Sequence, residues 1–183
     1  MDTEQFQLFF DRCVGKWVTE RTYHYLTREH VERSHTEFVV EPIPVELKAK
    51  VLEDNQYAIP DNLNELPGYH LKFETVSDKG EEVSQQLNLL FVPTQQDELI
   101  LHGDYLRDRA YEEDRPIVSA FRFNPETREL LMTTNYTHVV AVDSITMVNP
   151  DLRIRKILSY ARPPENEPLE KVVLVGFGVE QKQ

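Results

Sequence analysis

A single cysteine, Cys13, stands among 183 residues, so the chain can form neither an intramolecular disulfide nor a cysteine-rich zinc site. Basic residues are scarce. Twenty Lys and Arg against 32 Asp and Glu leave a net charge of −12, which argues against general binding to nucleic acid or to an anionic membrane. Long apolar runs are missing too, and stretches such as 172–175 are far too short to cross a bilayer. The chain begins Met1-Asp2-Thr3-Glu4-Gln5, acidic where a targeting peptide would be basic, so a cytoplasmic location is expected. There is no Gly-rich phosphate loop, no Gly-x-Ser-x-Gly and no paired-histidine motif, which leaves dinucleotide, kinase and hydrolase readings without support. The histidines at 24, 30, 35, 70, 102 and 138 have no spacing that demands a metal, and none is expected.

What is present suits one soluble domain over residues 1–183, with 40% hydrophobic and 28% charged residues. Apolar positions 6, 9, 10, 13 and 14 predict an amphipathic N-terminal helix, with Gly15 to end it. Strand-like segments then recur at about 17–28, 35–43, 69–76, 83–92, 98–104, 117–123, 129–135, 137–148, 152–160 and 171–179. Turn signals at 78–80, 124–127, 149–151 and 163–166 separate several of them. The pattern predicts an all-β fold, an antiparallel up-and-down barrel of about ten strands with an interior able to hold one small ligand. Segment 44–67 breaks the rhythm and is expected to form a short helix or a lid over one barrel mouth.

The first strand carries the first sign of a site. Alternation places Trp17, Thr19, Arg21, Tyr23 and Tyr25 on one face and Val18, Glu20, Thr22, His24 and Leu26 on the other. If Trp17 faces the core, so does Arg21, and an inward guanidinium must meet a carboxylate, carbonyl groups or an anionic ligand. Asp143 shares a face with Val139, Ala141, Ile145 and Met147, and is either a pocket carboxylate for a ligand's N–H groups or an ion-pair partner of Arg153 or Arg155. Arg153 and Arg155 share a face with Ile157 and Ser159. That face points either inward, completing a cationic set with Arg21, or outward as a solvated stripe. Trp17 reads as a packing residue of the barrel floor on which Arg153 or Arg155 stacks, His24 as a surface or packing residue, and Cys13 as buried.

Two stretches carry a family resemblance: the helix followed by Gly15-x-Trp17-x-x-x-Arg21 with His24 beyond it, and the turn and strand Asn149-Pro150-Asp151-Leu152-Arg153-Ile154-Arg155. With these, nearly the whole chain resembles the S-type phycobiliprotein bilin lyases, the CpcS/CpeS group. The resemblance implies a calycin-type barrel like that of fatty-acid-binding proteins, and a linear tetrapyrrole, a phycobilin such as phycocyanobilin, as substrate rather than as a prosthetic group. It implies ligand-binding roles for Arg21, Arg153, Arg155, Trp17, Tyr23 and Ser159, and catalytic roles for Asp143, which is Asp where the family usually has Glu, and His24. The chain departs from the family in having one Trp, so Tyr69, Phe73 or Phe91 is expected to line the pocket in place of middle-strand tryptophans.

The implied reaction attaches the bilin to a cysteine of a phycobiliprotein, of which the β subunit of phycocyanin or allophycocyanin is the expected acceptor. The implied compartment is the cyanobacterial cytosol, or the plastid stroma of an alga. A homodimer or a heterodimer with a sister lyase subunit belongs to the same expectation. The competing readings are a non-catalytic carrier of a tetrapyrrole or fatty acid, and a scaffold subunit of a heteromeric lyase.

Overall fold

A computed structural model describes residues 3–110 and 112–183. Helix α1 (Glu4–Cys13) leads into β1 (Gly15–Tyr25) and β2 (His30–Pro42), followed by helix α2 (Val45–Asp54) and a 3₁₀ turn at Leu63–Glu65. Eight more strands follow: β3 (Gly68–Ser77), β4 (Glu82–Asp97), β5 (Ile100–Ala110), β6 (Arg115–Asn124), β7 (Glu129–Asn135), β8 (Val139–Asn149), β9 (Leu152–Ala161) and β10 (Val172–Lys182). Each strand pairs antiparallel with the next. The sheet closes where β10 meets β1, with Trp17 opposite Lys182 and Tyr25 opposite Leu174. Closure leaves no unpaired edge among the described strands, and the ten-strand barrel agrees with the periodicity of the sequence.

The barrel has one plugged end. Phe6, Phe9 and Phe10 recur on one face of α1 and enter the end where β1 begins, meeting Tyr69, Phe91, Phe121 and Phe123 at ring-centroid distances of 4.5 to 6.4 Å. Burying each such phenylalanine stabilises the fold by roughly 2–3 kcal/mol. Beside them, Trp17 donates its indole N–H to the Cys13 carbonyl at 2.8 Å, tying the end of the helix to the first strand.

Helix α2 forms within the segment expected to hold a helix or lid, but it covers no mouth. Its Val51 and Leu52 pack with Ile43, Leu66, Leu90, Val92 and Leu106 in a second, external core against the outer wall of β4 and β5. The cause is local: the outward positions 90, 92 and 106 are leucine or valine, an apolar surface that a nearby amphipathic helix can bury.

Candidate functional site

The barrel interior holds a cavity of about 630 Å³, within the usual range for a small-molecule site. Its inner half is apolar, walled by Phe9, Phe10, Leu89, Phe91, Leu130 and Ile145. Its outer half, toward the end opposite α1, is polar. There Arg21, Tyr23, Asp143, Arg155 and Ser159 occupy one wall, and Tyr105, Arg107, Glu112 and Tyr136 another. Tyr69, Phe73 and Phe91 all line the cavity, in the positions where the single-tryptophan chain was expected to use them.

The inward face of β1 is the one that alternation picks out, and its neighbour makes room for it. Gly178 of β10 lies opposite Arg21 and Gly176 opposite Tyr23. A methyl group on Gly178 would lie 2.9 Å from Thr19 Oγ1 and 3.1 Å from Arg21 Cγ, and one on Gly176 would lie 2.9 Å from the Tyr23 ring. The two glycines therefore let both side chains lie across the wall.

Both late-strand arginines face inward, with different partners. Arg155 donates from Nε and Nη2 to the two carboxylate oxygens of Asp143 at 2.9 and 2.7 Å, a bidentate pair about a quarter exposed to the cavity. The two alternatives for Asp143 thus coincide, because it is an ion-pair partner and a cavity carboxylate at once. Each oxygen keeps lone-pair capacity for a further N–H.

Arg153 is committed to the floor. Its Nε donates to Glu180 Oε2, its Nη1 lies 3.1 Å from Cys13 Sγ, and its guanidinium stacks 4.6 Å from the Trp17 ring centroid. Glu180 is fully buried and also accepts a long 3.4 Å contact from Arg21 Nη2. Burial would raise its carboxyl pKa, but Arg153, Arg155 and Arg21 outweigh that and hold it below the usual range. Burial pushes the Cys13 thiol up, so it is poorly suited to be a nucleophile.

The readings of Trp17 as floor packing and of His24 as a surface residue match their placements, and three roles that the resemblance implies are narrowed. Trp17 is 1% exposed and belongs to the packed floor rather than to the cavity lining. Arg153 touches the cavity, but it is held in the floor cluster by its Nε bond to Glu180 and its Nη1 contact with Cys13. His24 is exposed on the outer face of β1 between Val31 and Val175, so strand alternation keeps it out of the cavity and away from any proton transfer there.

Sequence reading missed Glu180 and the cluster around Arg107. Arg107 is buried, donates from Nη2 to the Tyr136 hydroxyl at 2.8 Å, and lies 5.4 and 5.7 Å from the ring centroids of Tyr105 and Tyr136. The signal that would have found both is the same alternation continued a few residues further along β5 and β10.

The CpeS-like protein family model matches residues 5–183. Chromophore lyase CpcS/CpeS 1 of Synechococcus sp. (strain JA-3-3Ab) is 59% identical over 180 residues, covering 98% of this chain and 97% of its own. The phycocyanobilin lyase subunit CpcS of Picosynechococcus sp. is 24% identical over 149 residues, with 80% and 74% covered. Among solved structures, the S-type phycobiliprotein lyase CPES from Guillardia theta has the same fold, with a TM-score of 0.75 at 17% identity over 97% of this chain and 92% of that one. By the extent of the family match and by its identity to a relative aligned almost end to end, the chain belongs to the CpeS-like family of chromophore lyases.

Proposed function

We propose that the chain binds a phycobilin, with phycocyanobilin as the substrate, in the barrel cavity and attaches it to a cysteine of a phycocyanin- or allophycocyanin-type subunit. The observation that carries this reading is the Asp143–Arg155 pair set in the polar wall of a cavity whose inner half is apolar. A linear tetrapyrrole offers apolar rings, pyrrole N–H donors and two propionates. Asp143 accepts from the pyrrole nitrogens and favours their protonated form, which makes the bilin more electrophilic. Arg21 and Arg155 are cations suited to propionate or ring carbonyl oxygens.

The reaction is the addition of the acceptor's S–H across the exocyclic ethylidene double bond of ring A. Sulfur bonds to the exocyclic carbon, and the proton ends on the adjoining ring carbon. The acceptor supplies the nucleophile, since the chain's own thiol is buried against Arg153. The barrel contributes orientation, holding a flexible molecule in one conformation with one face toward the incoming thiol.

The test is co-expression with an apo-phycocyanin or apo-allophycocyanin β subunit and a phycocyanobilin supply, with and without a candidate sister subunit, read as zinc-fluorescent product after denaturing electrophoresis. The expected result is covalent product well above the lyase-free control, lost in Asp143→Asn. Product at the control level in every combination would leave a carrier at most. Full activity in Asp143→Asn would move bilin binding to a partner subunit.

A further inference from the structure

We infer that Arg107, poised by Tyr136 and Tyr105 near the cavity mouth, is a second anion anchor that takes a carboxylate of the ligand, with Glu112 competing for it in the empty protein. This deepens the bilin reading above and rests on it.

The inference starts from unused hydrogen-bonding capacity. A guanidinium has five N–H donors, and the Arg107 side chain is 7% exposed. One donor reaches the Tyr136 hydroxyl. Nε is buried with no hydrogen-bond partner among the described residues. Nη1 is 3.7 Å from Glu112 Oε2, beyond hydrogen-bonding distance. Burying a cation with so few bonds is costly unless another group completes it. The contrast lies within the same cavity, where Arg153 and Arg155 are each bonded to a carboxylate.

The surroundings hold the group without using up its donors. The faces of Tyr105 and Tyr136 attract the cation while leaving its N–H edge available. Pairing between β5 and β6 slips after Arg107, and the following turn brings Glu112 and Glu113 to the cavity rim. Glu113 is itself engaged, accepting from the Thr137 backbone N–H and from Arg115. Glu112 is therefore the carboxylate that a ligand acid must displace. On another wall Arg21 is in a similar state, with one 3.4 Å contact and a buried Nε lacking a partner among the described residues. Two under-bonded arginines on two walls match a ligand bearing two carboxylates, as a bilin does.

The test is a spectroscopic titration of the full chain with phycocyanobilin and with its dimethyl ester, in which both acids are masked. Arg107→Gln is expected to weaken phycocyanobilin binding about ten- to a hundredfold, the loss of charge-assisted hydrogen bonds, and to leave ester binding unchanged. Glu112→Gln, at an exposed position that keeps the fold, is expected to tighten phycocyanobilin binding several-fold and leave the ester unaffected. Equal effects of either variant on acid and ester, or no effect of Glu112→Gln on the acid, would overturn the anchor while leaving bilin binding intact. Failure of the parent protein to bind either compound would remove the bilin reading and the anchor with it.

Discussion

Replacing Glu180 by Gln tests the floor of the barrel most severely. The substitution keeps shape and removes one charge from a site where the glutamate side chain is 0% and its Arg153 partner 6% exposed. Breaking a buried pair by removing one partner costs about 3–5 kcal/mol, because the other charge stays buried without compensation. Arg153 retains the Trp17 ring and the Cys13 sulfur, which places the expectation near the lower end, about 3 kcal/mol. For a chain of this size that is a fall in Tm of about 6–12 °C. Trp17 is the only tryptophan and stacks on Arg153, so urea unfolding followed by its fluorescence reads the site directly. The acid limb adds a second readout. The Glu180 carboxyl is depressed in the folded state, so its contribution is fully present above the unfolded carboxylate range and lost as pH falls through the folded value. Glu180→Gln should flatten that limb. Replacing both partners together, Glu180→Leu with Arg153→Met, should recover much of the stability, since a matched apolar pair can replace a buried ion pair. A loss below about 1 kcal/mol for Glu180→Gln, with the acid limb unchanged, would refute the reasoning.

Three further outcomes follow from the same geometry. Asp143→Asn should cost only about 1–2 kcal/mol of stability, because its pair with Arg155 is partly solvated, yet should reduce covalent bilin product at least tenfold, a split that denaturation and zinc fluorescence together would reveal. Gly178→Ala should cost about 1–3 kcal/mol through contact with Thr19 and Arg21 and weaken bilin binding by displacing Arg21, as a titration of the variant would show. His24→Ala, on the exposed outer face, should leave stability within about 0.5 kcal/mol and attachment at the parent rate in the co-expression assay.

The barrel was legible because strand alternation and turn chemistry are local signals that survive in a single sequence. The inward set Trp17, Arg21, Tyr23 followed from them, as did the shared face of Arg153 and Arg155, though not its direction. The direction depends on Glu180, a carboxylate far away in sequence that makes an inward Arg153 tolerable. Glu180 and Arg107 were missed for one reason. The sequence segments end at 179 and 104, short of the charged runs Glu180-Gln181-Lys182 and Arg107-Asp108-Arg109, whereas β10 runs to Lys182 and β5 to Ala110. Sheet pairing with neighbouring strands extends both strands and brings Glu180 to the buried Arg153 and Arg107 to the Tyr136 hydroxyl. The same non-local cause moved α2, whose apolar face found the outer wall of β4 and β5 rather than the barrel mouth.

The most direct test of the central claim is a structure of the protein with phycocyanobilin bound. The account predicts the tetrapyrrole inside the barrel, its ring nitrogens within hydrogen-bonding distance of Asp143 and its propionates on the cavity arginines. A bilin bound on the outer surface of the barrel, with the Asp143–Arg155 pair out of reach, would contradict it.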